Sequence, residues 1–194
     1  GYIVYALSEA GYQSKITKEF ETAYDAAINS NDGYLLALMV NTLNNFGDKR
    51  EAEAMKKLVK LQKADGSFPS SHSITRSGFK SLQIETTSIA VLAMLKSDKK
   101  DLGALTKAVE FLVGSRGSYG GFGSTQGTVL ALKALSEYAK DSKKTSESGT
   151  LECYIDGKKV ASKAYKAGEK GKIEFTGLEK HLGQGKHKIK VLYK

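Results

Sequence analysis

As far as about residue 140, the chain alternates between two patterns of apolar positions. One pattern is apolar on nearly every side of a helix and occurs in residues 34–40, 89–95 and 129–135. Helices of this kind have to be covered on several sides. The other pattern, as in residues 51–63, places Lys and Glu between apolar residues at helical spacing, so that one side faces solvent. The alternation therefore predicts buried inner helices that alternate with half-exposed outer helices.

Two more segments show the one-sided pattern of an outer helix. One follows Asp101, and the other, which is weaker, lies near the start of the chain. Their apolar positions recur at the three- and four-residue spacing of a single helix face. These positions are Leu105, Ala108, Val109 and Leu112 in the later segment, and Ile16, Phe20, Ala23 and Ala27 in the earlier one.

Residues that favour helix ends lie at the borders of these segments. Side chains of Ser, Thr and Asp accept hydrogen bonds from the free N–H groups of a first helical turn. A Glu three residues later can complete a capping box, and Gly adopts the left-handed conformation that ends a helix. The predicted end residues are Asp48 with Glu51 as a capping box, Thr86 or Thr87, Ser124 or Thr125, and Gly47 at a helix C-terminus.

The inner helices repeat along the chain. Residues 85–95 align with residues 124–134, and the loops before them, 65–68 and 117–123, each contain Gly and an aromatic residue. Repeated pairs of inner and outer helices are typical of an αα-solenoid or a closed αα-toroid. Only a few pairs are visible, fewer than a closed ring needs, so we expect an incomplete αα-toroid.

After residue 139 the pattern changes to the alternation of β-strands. Residues 141–149 are polar and are typical of a linker, and Asp156-Gly157 is a strong hairpin-turn signal. Four strands in so short a segment make a poor independent domain, so we expect them to complete an antiparallel β-sandwich whose other strands lie elsewhere in a parent chain. The predicted strands are residues 150–155, 159–165, 171–176 and 185–193.

These patterns predict a mainly α protein with a small β module. Residues 1–140 form the C-terminal part of an αα-toroid, 141–149 a linker, and 150–194 the β-sandwich segment. The chain opens on Gly1 inside an apparently helical run, without an initiator Met or a capping residue. We therefore expect it to be a fragment of a longer protein.

The formal net charge of +9 is concentrated in the β segment. Residues 1–140 contain 17 Lys and Arg against 14 Asp and Glu, whereas residues 141–194 contain 13 against 7. A basic segment can bind nucleic acid or an acidic partner, but here the Lys residues are scattered and Arg is absent, so solubility and protection of sheet edges explain them better. We expect no nucleic-acid partner, and no apolar run is long enough to span a membrane.

Residues that could carry chemistry are few. The Gly-rich stretch 117–123 lacks the spacing of a phosphate-binding loop and joins helix to helix, so a tight inter-helix turn is favoured. The single Cys153 alternates with Leu151 and Ile155 on the apolar side of a strand, which favours a buried, inert thiol. A lone Cys allows no internal disulfide, and no His stands at zinc-ligand spacing from it.

Two other polar groups suggest catalysis only superficially. His72 lies in a Ser-rich loop with Ser70, Ser71 and Ser73, and such loop histidines are usually solvated. Glu51 and Glu53 lie on a charged helix, where a solvated surface is the default. The sequence therefore predicts no catalytic residue, no metal ligand and no cofactor.

Three stretches together resemble the alpha-macroglobulin and complement-component family. They are residues 31–38, residues 81–95, and residues 119–126 leading into 128–135, of which the last is the most specific. Residues 1–140 look like the latter half of the family's helical thioester domain, and residues 149–194 like part of its CUB-type β-sandwich. The resemblance covers nearly the whole chain.

The family's function centres on a thioester between the Cys and Gln of a Cys-Gly-Glu-Gln motif, whose acyl group is transferred to a target after proteolytic activation. The motif is absent from this chain, and Cys153 is followed by Tyr-Ile-Asp in the other domain. In the family the motif stands where an inner helix begins. The resemblance therefore implies that the loop with Tyr119, Phe122 and Gln126 lies on the same rim and helps to shield the thioester; the alternative is a loop that only packs.

The resemblance implies a non-enzymatic fragment of a protease trap or a complement-like defence protein. Its partners are then proteases or target surfaces, together with the rest of the toroid and sandwich, and its location is extracellular or periplasmic, with an anchor in the parent chain left open. Two other αα-ring classes stay open as alternatives: a cobalamin-type carrier with a β module, and a prenyltransferase or terpenoid cyclase. The last would need an Asp-rich or zinc motif that the sequence does not show.

Overall fold

The computed structural model describes residues 1–118, 120–142, 147–169 and 173–194. The chain divides into two compact units, Gly1–Tyr138 and Ala139–Lys194, which we call the helical unit and the β unit. The helices are α1 (Tyr2–Glu9), α2 (Thr17–Ile28), α3 (Gly33–Phe46), α4 (Glu51–Lys60), α5 (Phe79–Lys96), α6 (Leu102–Gly114) and α7 (Thr125–Asp141). Short 3₁₀ turns lie at Gln13–Lys15 and Glu179–His181.

Inner and outer helices alternate in the helical unit, as the sequence predicts. The inner helices α1, α3 and α5 pack side by side, with α3 in the middle. The outer helices α2 and α4 pack on α3, and α6 packs on α5. This is the arrangement of an αα-toroid, so the mainly α fold with a small β module is confirmed.

Burial follows the same alternation except in α7. Helices α3 and α5 are buried on nearly all sides, whereas α4 buries only Ala54, Met55 and Leu58. In α7, however, Val129 and Leu132 are 56% and 53% exposed. The prediction that residues 129–135 are covered on several sides is therefore wrong for this chain, because within the helical unit the described neighbours of α7 cover only the side that contains Ala131 and Ala134, with Leu130 and Leu135 half-buried beside them.

Two of the predicted helix ends are confirmed. Gly47 ends α3 in the left-handed conformation, with φ of 64°. The hydroxyl of Ser124 accepts a hydrogen bond from the Gly127 N–H, at 2.9 Å, and so caps α7. Both positions follow from side-chain or backbone preferences that act over a few residues.

The other two predicted caps are wrong. Oδ1 of Asp48 accepts the N–H of Arg50, at 2.9 Å, and the Arg50 guanidinium binds the same carboxylate, so no capping box forms with Glu51. Thr86 and Thr87 lie inside α5, which begins earlier, at Phe79. Their hydroxyls are buried in the helix body and do not cap it.

The β unit contains a three-stranded antiparallel sheet. Its strands β1 (Gly149–Ile155), β2 (Lys158–Tyr165) and β3 (Ile189–Tyr193) are arranged in the order β2-β1-β3. The predicted turn is confirmed, because Asp156 and Gly157 join β1 to β2 with φ of 47° and 83°, as a tight hairpin turn requires.

Two strand predictions need correction. Of the strand predicted at 171–176, residues 171 and 172 lie outside the described residues, and 173–176 form no strand because no described strand pairs with them. The strand predicted at 185–193 begins only at Ile189. Before that point, the Lys188 carbonyl accepts one more backbone hydrogen bond, from the Asp156 N–H, while the His187 ring and the Lys188 N–H bind the Asp156 side chain.

None of the helices in the described ranges has the length and apolar character needed to cross a membrane.

Candidate functional site

The loops that lead into the inner helices lie together and form a continuous surface of the helical unit. We call this surface the rim and define it as residues 29–32, 61–78, 115–118 and 120–124. The Gly33 N–H donates to the Pro69 carbonyl, at 2.9 Å, and so joins the first two loops. Ser124 donates to Glu85 of α5, at 3.0 Å, and so joins the third loop to its neighbours. The rim is the part of the helical unit where the sequence predicts a functional site.

Each of the two longer rim loops is anchored by a buried aromatic ring. Phe68 and Phe122 are 0% and 1% exposed. The N–H of Phe68 donates to the Thr87 hydroxyl, at 3.1 Å, and the N–H of Phe122 donates to the Thr128 hydroxyl, at 2.9 Å. The Gly-and-aromatic loops of the sequence repeat are therefore loops pinned to the helix that they precede.

Close contacts explain glycine at two positions, Gly123 in the rim and Gly33 at the start of α3 beside the rim. A Cβ at Gly33 would lie 2.5 Å from the Pro69 carbonyl oxygen, and one at Gly123 would lie 2.6 Å from the Ser81 hydroxyl. Gly123 also has φ of 82°, which favours glycine. The stretch 117–123 joins α6 to α7 through a tight turn in which the Gly117 N–H donates to the Gly121 carbonyl. The predicted inter-helix turn is confirmed.

Asp32 organises the start of α3 and the loop beside it. Its Oδ1 accepts the N–H groups of Tyr34 and Leu35, and its Oδ2 accepts both the N–H and the hydroxyl of Ser71, at 2.8 and 2.7 Å. Burial alone would raise the pKa of Asp32, but the hydrogen bonds from Ser71, Leu35 and Tyr34 outweigh it and lower that pKa. The carboxylate is therefore held ionised as a structural acceptor.

Glu85 is a fully buried carboxylate under the rim. It lies on α5 and accepts hydrogen bonds from hydroxyls of both longer loops. Oε1 accepts from Ser77 and from Ser124, and Oε2 accepts from Thr75, at 3.0 Å. The sequence analysis missed this cluster. The signal that could have found it is a lone Glu in an apolar helix, at the position that the repeat aligns with Ser124.

Beside this cluster, the phenol of Tyr34 is also buried. Burial raises the pKa of Tyr34 to about 12, and the nearby Glu85 carboxylate acts in the same direction. Arg76 in the loop above these groups and Phe79 at the start of α5 both have positive φ, of 53° and 48°. Phe79 is 98% exposed, which makes it the most exposed large apolar side chain of the described residues.

The residues that suggested catalysis are not brought together. His72 is exposed, and the Ser70 hydroxyl donates to its backbone carbonyl rather than to its ring. In the described ranges, the His72 ring has no hydrogen bond with any of the neighbouring serines. Cys153 is buried in β1 as a free thiol, as predicted.

The two carboxylates of α4 differ from each other. Glu53 is exposed, as predicted, whereas Glu51 is half-buried, and its Oε1 is shielded from water without a hydrogen-bond partner in the structure. Among the described residues, no group of three or more His, Cys, Asp or Glu side chains could hold a metal ion.

The three residues of the predicted shielding loop have different environments. Tyr119 lies outside the described residues. Phe122 is buried in the core of the helical unit, so its ring packs inward. Gln126 is half-buried in the first turn of α7, next to the rim.

Comparison with known proteins gives a match that nearly coincides with the helical unit. The family model described as the A-macroglobulin TED domain matches residues 13–138. Ovostatin of Gallus gallus is 43% identical over 61 residues, which are 30% of this chain and 4% of ovostatin. Complement C3 of Lethenteron camtschaticum is 39% identical over 61 residues, which are 31% of this chain and 4% of that protein. The aligned stretch is thus a small part of either relative.

Proposed function

The chain belongs to the A-macroglobulin TED domain family, and from this premise we propose that it is a non-catalytic segment of a larger alpha-macroglobulin-like protein. In this proposal the larger protein is a protease trap or a complement-like defence protein. The proposal rests on the family match over residues 13–138, which covers most of the helical unit and ends with it at Tyr138. It favours this class over the carrier and cyclase classes of αα-ring proteins.

The chemistry of the rim supports a non-enzymatic role. The carboxylate oxygens of Asp32 and Glu85 accept hydrogen bonds from groups of the rim. A general acid or base needs a lone pair or proton that can reach a substrate. The sequence also contains no Cys-Gly-Glu-Gln, so the acyl group of a thioester would have to come from elsewhere in a parent chain.

From the same family match we also propose the partners and the location of the larger protein. The relatives that align include ovostatin and complement C3, which supports an extracellular protein whose partners are proteases or target surfaces. The β unit would then contribute strands to a sandwich that other segments of the parent complete. Within the described residues, both outer edges of its sheet are unpaired, which fits this role.

We also propose that the loop from Tyr119 to Gln126 shields the thioester of the parent. Ser124 caps α7, and Gln126 lies in its first turn, which is the place at an inner-helix start where the family carries its motif. Phe122 contributes by anchoring the loop from below, because its ring is buried. Gln126 is then the side chain that would lie over the thioester.

The trap is tested with the full-length protein that contains this sequence. A steric trap encloses an active protease, so we expect trypsin to lose its activity on a large substrate such as casein while it still cleaves a small peptide amide. The same full-length protein, unfolded and not refolded before the assay, serves as the control. Equal cleavage of casein with and without the full-length protein would contradict the proposed function.

The shield is tested in a full-length protein that has a thioester. Gln126→Ala should expose the thioester to water and small amines, so the free thiol should appear faster in a thiol-specific colour assay. Gln83→Ala, at a half-buried Gln of the neighbouring inner helix, is the matched control. If Gln126→Ala and Gln83→Ala release the thiol at the wild-type rate, or if the loop is remote from the thioester in the full-length structure, the loop only packs.

A further inference from the structure

We propose that Glu85 is a positioning residue that couples the two longer rim loops, so that neither opens without loosening the other. The first loop is residues 61–78, and the described part of the second is residues 115–118 and 120–124. The proposal deepens the shielding role of the rim and takes its biological meaning from the proposed function. Its physical basis is independent of that function, because it rests on the contacts of one buried carboxylate.

The hydrogen bonds of Glu85 come from both loops. Ser77 and Thr75 belong to the loop before α5, and Ser124 belongs to the loop before α7. Each of these hydroxyls donates its single proton to a carboxylate oxygen of Glu85. The carboxylate is thus a shared acceptor between loops that are otherwise separated by the whole of α5 and α6.

No cation replaces a lost hydroxyl in this cluster. In the described part of the chain, Glu85 takes part in no ion pair and is 0% exposed, so the hydroxyls are the partners that satisfy it. A buried acceptor that loses a donor is destabilised because water cannot reach it. When one loop moves away, the remaining contacts of Glu85 therefore become less favourable, and the second loop is weakened.

The backbone of the first loop shows what these contacts hold in place. Thr75 and Ser77 flank Arg76, which has φ of 53°, and Phe79 follows with φ of 48°. Left-handed conformations of such residues persist only where the surrounding structure imposes them. The two hydrogen bonds to Glu85, one on each side of Arg76, provide that constraint.

The second loop is held in a corresponding way. The Ser124 hydroxyl donates to Glu85 and accepts the Gly127 N–H, at 2.9 Å, so it uses one group both to reach α5 and to cap α7. Loss of the Glu85 contact frees this hydroxyl to rotate and weakens the cap. The start of α7, with Gln126, then loses its fixed position.

The positions of the three arginines in the sequence allow a direct test. Arg76 lies in the first loop and Arg116 at the start of the second, and both are exposed. Arg50 lies at the start of α4, where its guanidinium binds Glu21 and Asp48, and it makes no contact with the rim network. Digestion of the folded chain with an arginine-specific endoproteinase therefore measures how often each loop opens. Cleavage at Arg50 in the same digest is the internal control.

We expect Glu85→Ala to speed cleavage at Arg76 and at Arg116 by about tenfold each, since cleavage of a folded chain follows the population of the opened loop. The rate at Arg50 should stay at the wild-type value. Glu85→Gln keeps an acceptor oxygen and adds an amide that can bond to a hydroxyl, so it should restore most of the protection. Glu110→Gln, on the exposed side of α6, is the matched control and should change none of the rates.

Two results would overturn the proposal. One is faster cleavage at only one of the two loops, which would mean that Glu85 anchors that loop without coupling. The other is an equal increase at all three arginines, which would mean general loss of stability. Neither result depends on protease trapping, so a failure here is separate from a failure of the proposed function.

A milder variant keeps the test decisive if Glu85→Ala does not fold. Ser124→Ala leaves the carboxylate and the first loop untouched, yet coupling predicts that it speeds cleavage at the distant Arg76 by several-fold. In the Glu85→Gln background the same change should have a smaller effect at Arg76. A Ser124→Ala protein that is cleaved faster only at Arg116 would show that the loops are independent.

Discussion

The helical unit and the β unit are stabilised by different kinds of contact. The helical unit buries a continuous apolar core in which α3 and α5 are almost completely enclosed. In the described part of the β unit, only Cys153 and Ile155 are buried apolar residues, and the buried carboxylate Glu152 directly precedes Cys153 in the same strand, β1. We therefore expect that removing buried apolar side chains destabilises the helical unit, whereas changing the protonation of charged groups destabilises the β unit.

The largest expected effect tests the apolar side of this comparison. Phe68→Ala removes a completely buried ring from the core of the helical unit and should lower its free energy of unfolding by about 3–5 kcal/mol. Urea unfolding followed by the circular dichroism of the helices measures this loss. Phe79→Ala removes the same ring from an almost fully exposed position and should cost less than about 0.5 kcal/mol. Equal losses for both variants would mean that the rim loop is not packed as described.

The next effect concerns the alkaline pH dependence of the helical unit, which arises from two buried tyrosines. Burial raises the pKa of Tyr34 and of Tyr5 to about 12. Because the folded state keeps these protons more tightly than the unfolded chain does, their contribution is complete below about pH 10 and is lost as the pH rises to about 12. Each tyrosine should account for about 1–2 kcal/mol of this loss after allowance for solvent screening.

The double variant Tyr5→Phe and Tyr34→Phe should remove most of the alkaline loss, which helix circular dichroism across this pH range would show. Tyr12→Phe is the control, because Tyr12 is about half-exposed and lies outside the core. An alkaline transition of the double variant that matches the wild-type transition would assign the loss to other groups.

The alternation of helices could be predicted because it depends on short runs of apolar residues. The inner helices α3 and α5 show their burial in their own sequence, in residues 34–40 and 89–95, whereas the apolar run of α7 does not match its burial. The loop aromatics Phe68 and Phe122 could be noticed for the same reason, as each repeats with Gly before an inner helix. Their burial, by contrast, depends on packing between helices.

The rim cluster could not be predicted, because its partners are far apart in sequence. Glu85, Thr86 and Thr87 favour a helix start when only local preferences are considered, since carboxylates and hydroxyls cap free N–H groups. In the structure they are buried within α5, and the partners of Glu85 include Ser124, which lies two helices later. The missing capping box has a local cause instead, since the backbone N–H and the guanidinium of Arg50, two residues after Asp48, bind the Asp48 carboxylate.

The β unit should be sensitive to acid through Glu152. This carboxylate is only 6% exposed and binds the ammonium groups of Lys159 and Lys194 and the Tyr154 hydroxyl, with Lys159 as the main cause of a pKa lowered to about 2. Stability from a lowered pKa is present above the ordinary value of 4.5 and is lost as the pH falls to about 2. Amide hydrogen exchange of β1 over this range measures the loss.

Glu152→Gln should remove this acid dependence and should also loosen β1 at neutral pH, because both lysines lose their anionic partner. Glu174→Gln, at an exposed position of the same unit, is the control. If exchange in α5 rose as much as exchange in β1 during acidification, the two units would not differ in the way proposed.

The smallest effect concerns one contact in the β unit that is sensitive near neutral pH. Nδ1 of His187 lies 2.6 Å from the Asp156 carboxylate, and Nε2 lies 3.0 Å from the Gly183 carbonyl. Both partners only accept, so both ring nitrogens have to carry a proton, and the contact requires the imidazolium form. The Asp156 hydrogen bond is accordingly the main cause of a raised His187 pKa.

Because the pKa of His187 is raised, its contribution is complete below the ordinary value of 6.5 and is lost as the pH rises through the folded-state pKa. The turn between β1 and β2 should therefore become looser on mild alkalinisation, well before the tyrosines of the helical unit ionise. Amide exchange at Lys188, whose N–H donates to Asp156, measures this change. His187→Gln should abolish the dependence on pH and His181→Gln should leave it intact; a His187→Gln protein that still loosens over the same range would show that another group controls the turn.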